Sequence, residues 1–122
     1  MDRKQILYKV NEVCKMFNTT RKTLYYYDKI GLLQPVSRKG PQLHKLYTQE
    51  EMKKLEMILD FRDAGVPIYS IKAILDNPED INKIISLLEE TKQSLIIHYR
   101  EVDKELKKLE VLINRYKEMR NN

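Results

Sequence analysis

Val10-Asn11-Glu12-Val13-Cys14-Lys15-Met16-Phe17, then Asn18-Thr19-Thr20, then Arg21-Lys22-Thr23-Leu24-Tyr25-Tyr26-Tyr27-Asp28-Lys29 is the stretch on which the fold turns. Val10, Val13, Cys14 and Phe17 recur at helical spacing, Asn11 stands where a cap is wanted, and Glu12 favours the positive end of the helix dipole. Asn18 tolerates a left-handed backbone better than most non-glycine residues, so a tight turn fits there. Thr20 is placed to cap a second helix, from about Arg21 to Lys29, that stops at Gly31. Two short helices joined by such a turn make a helix-turn-helix.

Leu24, Tyr27 and Asp28 share one face of the second helix. With Leu24 and Tyr27 packed inward, Arg21, Lys22, Tyr25 and Tyr26 lie on or beside the outer face. Phenol hydroxyls and cationic groups both donate to phosphate oxygens, so this outer face suits a DNA groove. Ordinary core and boundary packing of the three tyrosines is the alternative.

Downstream, Val36-Ser37-Arg38 and His44-Lys45-Leu46-Tyr47 read as short extended pieces around a Lys39-Gly40-Pro41 turn. A basic hairpin at this position is either a wing or a plain connector. Thr48-Gln49-Glu50-Glu51 has the form of a capping box and opens a helix to about Asp63, ended by Gly65. Pro67 starts a further helix to about Asp76. Asn77-Pro78-Glu79-Asp80 then predicts a new helix, with an Asn cap, Pro at the first position and two acids in the first turn.

No Gly or Pro follows. Leu88, Leu95, Val102, Leu109 and Tyr116 recur every seven residues, with Ile85, Lys92, Tyr99, Leu106 and Ile113 as the companion register. This is a coiled-coil seam with two imperfect positions, Lys92 and Tyr99. A helix from Pro78 to Met119 would span roughly 60 Å and wants a partner. Leu88, Leu95, Val102, Leu106, Leu109 and Ile113 are the expected dimerisation residues, packing back onto the chain's own domain being the alternative. The expected division is residues 1–76 and residues 77–122.

The composition narrows the function classes. The 122 residues are 42% hydrophobic and 34% charged, enough apolar material for a core. The net charge of +5 is uneven: residues 1–50 carry ten Lys and Arg against four Asp and Glu, whereas the rest is nearly balanced. That asymmetry suggests a polyanion partner for the N-terminal part, against a plain solvated basic surface. One cysteine excludes an intramolecular disulfide framework. No apolar run reaches the roughly 18 residues of a membrane span, so a soluble, cytoplasmic protein is expected. The sequence has no phosphate-binding glycine loop, no second cysteine and no acid–histidine cluster at ligand spacing. His44 and His98 stand alone, and Cys14 reads as a buried, inert thiol. No catalytic residue, metal or cofactor is expected.

Tyr8-Lys9-Val10-Asn11-Glu12-Val13-Cys14-Lys15, Thr23 through Leu33, His44-Lys45-Leu46-Tyr47-Thr48 and Ala64-Gly65-Val66 together resemble the MerR family of bacterial transcription regulators. The resemblance covers the N-terminal 75 or so residues in order. It implies a mostly α fold, a winged helix-turn-helix domain followed by a long dimerisation helix that forms an antiparallel coiled coil. It further implies a homodimer that binds pseudo-palindromic, double-stranded promoter DNA and distorts it so that RNA polymerase can or cannot start. Carried over by position, Thr20, Arg21, Lys22, Thr23, Tyr25 and Tyr26 fall on the recognition helix, and Arg38 and Lys45 on the wing as phosphate ligands.

This chain departs from the family pattern in places. Tyr25 stands where members commonly have Arg, His44-Lys45 replaces the usual Tyr-Arg pair, and Asn18 replaces a frequent Gly. Lys keeps the charge of Arg but not its bidentate fork. The sequence runs to Asn122, so a short member without a C-terminal effector domain is expected, and no effector is identified. The metal-sensing branch uses cysteines near the dimerisation helix, and none occurs there. The function expected is therefore sequence-specific DNA binding that regulates transcription. The alternative is a coiled-coil protein-interaction module or adaptor with only non-specific DNA affinity.

Overall fold

The computed structural model describes residues 6–40 and 44–122. The chain falls into two units, one ending at Asn77 and the other beginning at Pro78. The first contains, in order, β1 (Tyr8–Lys9), α1 (Val10–Phe17), α2 (Arg21–Lys29), β2 (Ser37–Lys39), β3 (His44–Tyr47), α3 (Gln49–Asp63) and α4 (Ile68–Asp76); the second is α5 (Ile81–Asn121).

The helix-turn-helix forms as the sequence dictates. Asn18 adopts φ +51°, the left-handed conformation that ends α1, and the Thr19 N–H closes the turn on the Cys14 carbonyl at 3.1 Å. Thr20 caps α2, its Oγ1 accepting from the Thr23 N–H at 3.1 Å. Gly31 ends α2 at φ +73°, with the Leu32 N–H reaching back to the Tyr27 carbonyl at 2.8 Å and the Gly31 N–H to the Asp28 carbonyl at 3.1 Å. This paired closure needs a left-handed residue, where a Cβ is disfavoured.

The first helix starts two residues earlier than an Asn11 cap would allow. Asn11 is inside α1, and Lys9 is the cap residue; its backbone N–H is taken by the Glu12 carboxylate at 3.0 Å. Glu12 thus supplies a side-chain acceptor at the start of α1, the part expected of Asn11. Thr48 precedes α3 as anticipated, but its hydroxyl donates to the Glu51 carboxylate and makes no cap bond to the backbone.

The hairpin is real and has a third strand that the local pattern does not announce. The sheet order is β1-β3-β2, all antiparallel, with Tyr8 opposite Tyr47 and Arg38 opposite Lys45. Gly40 enters the turn at φ +79°, and Pro41 lies outside the described residues. The core beneath is built from inward faces: Val13 of α1, Leu24 and Tyr27 of α2, Leu55 and Ile58 of α3, Ile71 and Ile74 of α4, and Tyr47 of β3, none more than 2% exposed. Each such aliphatic side chain contributes about 1.5–3 kcal/mol by leaving water. Cys14 is half-buried, not fully enclosed.

The last helix begins later than its Asn-Pro signal suggested. Asn77 closes α4, donating its N–H to the Ile74 carbonyl at 3.2 Å, and is not the cap of the next helix. Asp80 caps α5 instead, its carboxylate accepting from the Lys83 N–H at 3.2 Å. The helix runs 41 residues, about 60 Å at 1.5 Å per residue. None of its side chains is buried; Leu95, Leu106, Leu109 and Ile113 are about half exposed. Asp103 and Lys107 pair at 2.9 Å, one turn apart with the acid N-terminal, which is the favourable order along a helix.

Candidate nucleic-acid interface

The cap at Thr20 fixes where α2 begins, and so where its first side chains emerge. Thr20 and Thr23 hydroxyls lie 3.0 Å apart within the cap, so both help to set the helix entry. Arg21 is exposed and donates to the Asn11 side-chain carbonyl of α1, while Lys22 projects free of the core. Tyr25 and Tyr26 are 43% and 49% exposed, whereas Tyr27 is 2% exposed, as the helical spacing requires. The Tyr27 hydroxyl is met by Arg62 at 3.3 Å, and Lys72 covers the end of α2 by donating to the Ile30 carbonyl at 3.2 Å. A cation there also complements the helix dipole.

The wing is fastened to α2 through one carboxylate. Asp28, 8% exposed, accepts from both terminal nitrogens of Arg38, at 2.8 and 2.9 Å, and from Lys45 Nζ at 2.8 Å. The hydrogen-bonded Arg38 guanidinium, with help from Lys45, holds the Asp28 carboxyl down at about 2 against the opposing effect of burial. Lys45 Nζ also stands 4.1 Å from the centre of the Tyr25 ring, a cation–π contact. Burial, reinforced by the Asp28 charge, pushes the Tyr47 hydroxyl up to about 12. Tyr47 therefore stays neutral in the core beneath the wing.

These elements enclose an open groove of about 930 Å³ between the start of α2, β1 and the hairpin. Five cations line it, Lys9, Arg21, Arg38, Lys39 and Lys45, together with Asn11, Tyr25 and His44. No carboxylate lines it among the described residues. Such a surface concentrates positive potential where backbone phosphates would lie. The structure thus brings Arg21, Tyr25, Arg38 and Lys45 together on one groove and sets Thr20 and Thr23 in the helix cap behind it. Lys9 and Lys39 were not singled out from the sequence, and neither was the role of Asp28. The signal for Asp28 was present: an acid sharing the inward face of Leu24 and Tyr27 must find cations or lose its charge.

Residues 8–78 match the MerR HTH family of regulatory proteins. The chain belongs to the MerR family. The transcriptional activator TipA of Streptomyces coelicolor is 37% identical over 71 residues, a match that takes in 58% of this chain but 28% of TipA. The crystal structure of the N-terminus of Mta, the Bacillus subtilis multidrug transporter activator, superposes with a TM-score of 0.73 at 26% identity, covering 87% of this chain and 97% of that one. HiNmlR, a MerR family regulator lacking the sensor domain and solved bound to promoter DNA, shares the fold at a TM-score of 0.60 and 20% identity, covering 93% of this chain and 92% of that one. The winged helix-turn-helix and the long C-terminal helix of this MerR-family chain are thus the family's fold.

Proposed function

We propose that this MerR-family protein is a sequence-specific, DNA-binding transcription regulator. In this reading it acts in the cytoplasm as a homodimer on pseudo-palindromic promoter DNA, distorting it to control initiation by RNA polymerase. The observation that carries the proposal is the carboxylate-free groove lined by five cations beside the exposed face of α2. Helix α2, about 13 Å long at nine residues, is of a size that a major groove admits. Arg21 and Lys22 at its start approach base edges, as the first residues of recognition helices do. Thr20, Thr23, Tyr25 and Tyr26 serve the flanking backbone, with Lys45 gripping it from the wing. That TipA is a transcriptional activator and that HiNmlR was solved on promoter DNA both support this reading.

Dimerisation through α5 is proposed on its uncovered heptad stripe. Leu95, Leu106, Leu109 and Ile113 remain about half in water along a single helix, a surface that self-association would cover. Leu88 and Val102 continue the same stripe. Two recognition helices on one dimer require an operator with dyad symmetry.

Selection of bound sites from random duplex DNA tests the proposal. An enriched sequence with two inverted half-sites is expected. Enrichment of a single half-site would remove the dimer from the account, and no enrichment would remove sequence recognition. In the latter case, an association that ignores salt would point to a protein-interaction module.

A further inference from the structure

We infer that Asp28 is the positioning residue of the wing, and that Arg38 acts through Asp28 as a strap, leaving Lys45 as the wing's phosphate ligand. The inference rests on the DNA-binding reading above and divides roles that charge alone treats as equal. Arg38 and Lys45 face each other across the β2–β3 ladder, where two like charges repel. Both converge on the Asp28 carboxylate, which is nearly buried on α2. One anion thus joins the two strands to the recognition helix, and the cluster keeps a net charge of +1.

The two cations are held differently. Arg38 meets Asp28 fork to fork through both terminal nitrogens, so that pair of donors is committed to α2 in a fixed geometry. Lys45 gives Asp28 one bond and rests against the Tyr25 ring at 4.1 Å. An ammonium has three donors, so Lys45 retains capacity for a phosphate without leaving Asp28. The carboxylate therefore sets the distance between the wing and the base-reading start of α2.

The test uses the full chain carrying Asp28→Asn, Arg38→Gln, Lys45→Gln or the Asp28→Asn/Arg38→Gln pair. Each is titrated with the selected operator and a scrambled duplex over a range of salt. Arg38→Gln and Asp28→Asn should each lose operator affinity by about fivefold or more, the cost of one misplaced base contact, with the salt slope unchanged. The double variant should be no worse than either single one, because the two residues share one interaction. Lys45→Gln should instead flatten the slope by about 0.9 per subunit on both duplexes. A loss of folded protein would lower both affinities alike and leave their ratio unmoved.

An equal flattening of the slope by Arg38→Gln would make Arg38 a phosphate ligand and overturn the division of roles. Amide hydrogen exchange on the free protein provides the arm that needs no DNA. Exchange at the Val36 amide should quicken in Asp28→Asn and Arg38→Gln, since its N–H, just before β2, donates to the Leu46 carbonyl of β3 at 2.9 Å. Unchanged exchange in both would overturn the strap. Should Asp28→Asn fail to fold, Arg38→Gln breaks the same contact from its 39% exposed side. If the wild type does not discriminate operator from scrambled duplex, the DNA-binding reading fails while the exchange result still decides on the strap.

Discussion

Tyr25→Arg restores the residue type expected at this position from the family resemblance, and the structure allows its cost and its gain to be separated. Tyr25 is 43% exposed, and its ring carries Lys45 Nζ at 4.1 Å. Removing the ring forfeits a cation–π contact of about 0.5–1 kcal/mol at such a site. The incoming guanidinium stands near Lys45, and two like charges about 4 Å apart in water repel by roughly 1 kcal/mol. The free protein should therefore lose about 2 kcal/mol at most, less in high salt. Against this, a neutral phenol donor becomes a charge-assisted one, roughly twice as strong towards phosphate. Operator and random DNA should both bind more tightly, and the log–log salt slope should steepen by about 0.9 per subunit, or about 1.8 for a dimer. Melting temperature and salt titration on the same variant measure both quantities. A stability loss of several kcal/mol with no steeper slope would refute the reasoning, because it is what an unpaired buried charge produces.

Other perturbations follow from the same contacts. The folded-state carboxyl of Asp28 is depressed, so its contribution is full above about pH 4 and fades as the pH falls towards 2. The stability gap between wild type and Asp28→Asn, measured by denaturant titration, should close over that window from at most about 2 kcal/mol, solvent at Arg38 reducing it; a gap indifferent to pH would contradict the ion pair. Gly31→Ala places a Cβ 3.7 Å from Lys72 Nζ, an ordinary contact, so the cost is that of the backbone at φ +73°. About 1–2 kcal/mol of destabilisation is expected from thermal unfolding. Leu95→Asp with Leu109→Asp should give monomers by sedimentation and reduce operator affinity by about 100-fold or more, as one half-site no longer recruits the other. Arg21→Ala should narrow the gap between operator and random DNA, whereas Lys45→Ala should weaken both together; filter binding on the two duplexes distinguishes them.

The parts of the fold legible in the sequence are those written in local signals. Asn18 and Thr20 mark the turn and cap, the spacing of Leu24 and Tyr27 orients α2, and the seven-residue repeat marks α5. What escaped depends on partners distant in the chain or on competition between neighbouring groups. β1 is two residues long and exists because Tyr8 pairs with Tyr47, 39 positions later. The start of α5 was misplaced because Asn77 and Asp80 are both good caps, and the local pattern does not choose between them. At the candidate interface, charge and helical spacing identify the residues on α2, and the hairpin pattern identifies Arg38 and Lys45. The convergence of those two cations on Asp28 is a tertiary fact, since neither charge nor spacing states which anion a cation meets.

The most direct measurement is the affinity of the full chain for its selected operator relative to a scrambled duplex of equal length at about 0.15 M salt. The account predicts a preference of about 1,000-fold or more for the operator. Equal affinity for the two duplexes would contradict it.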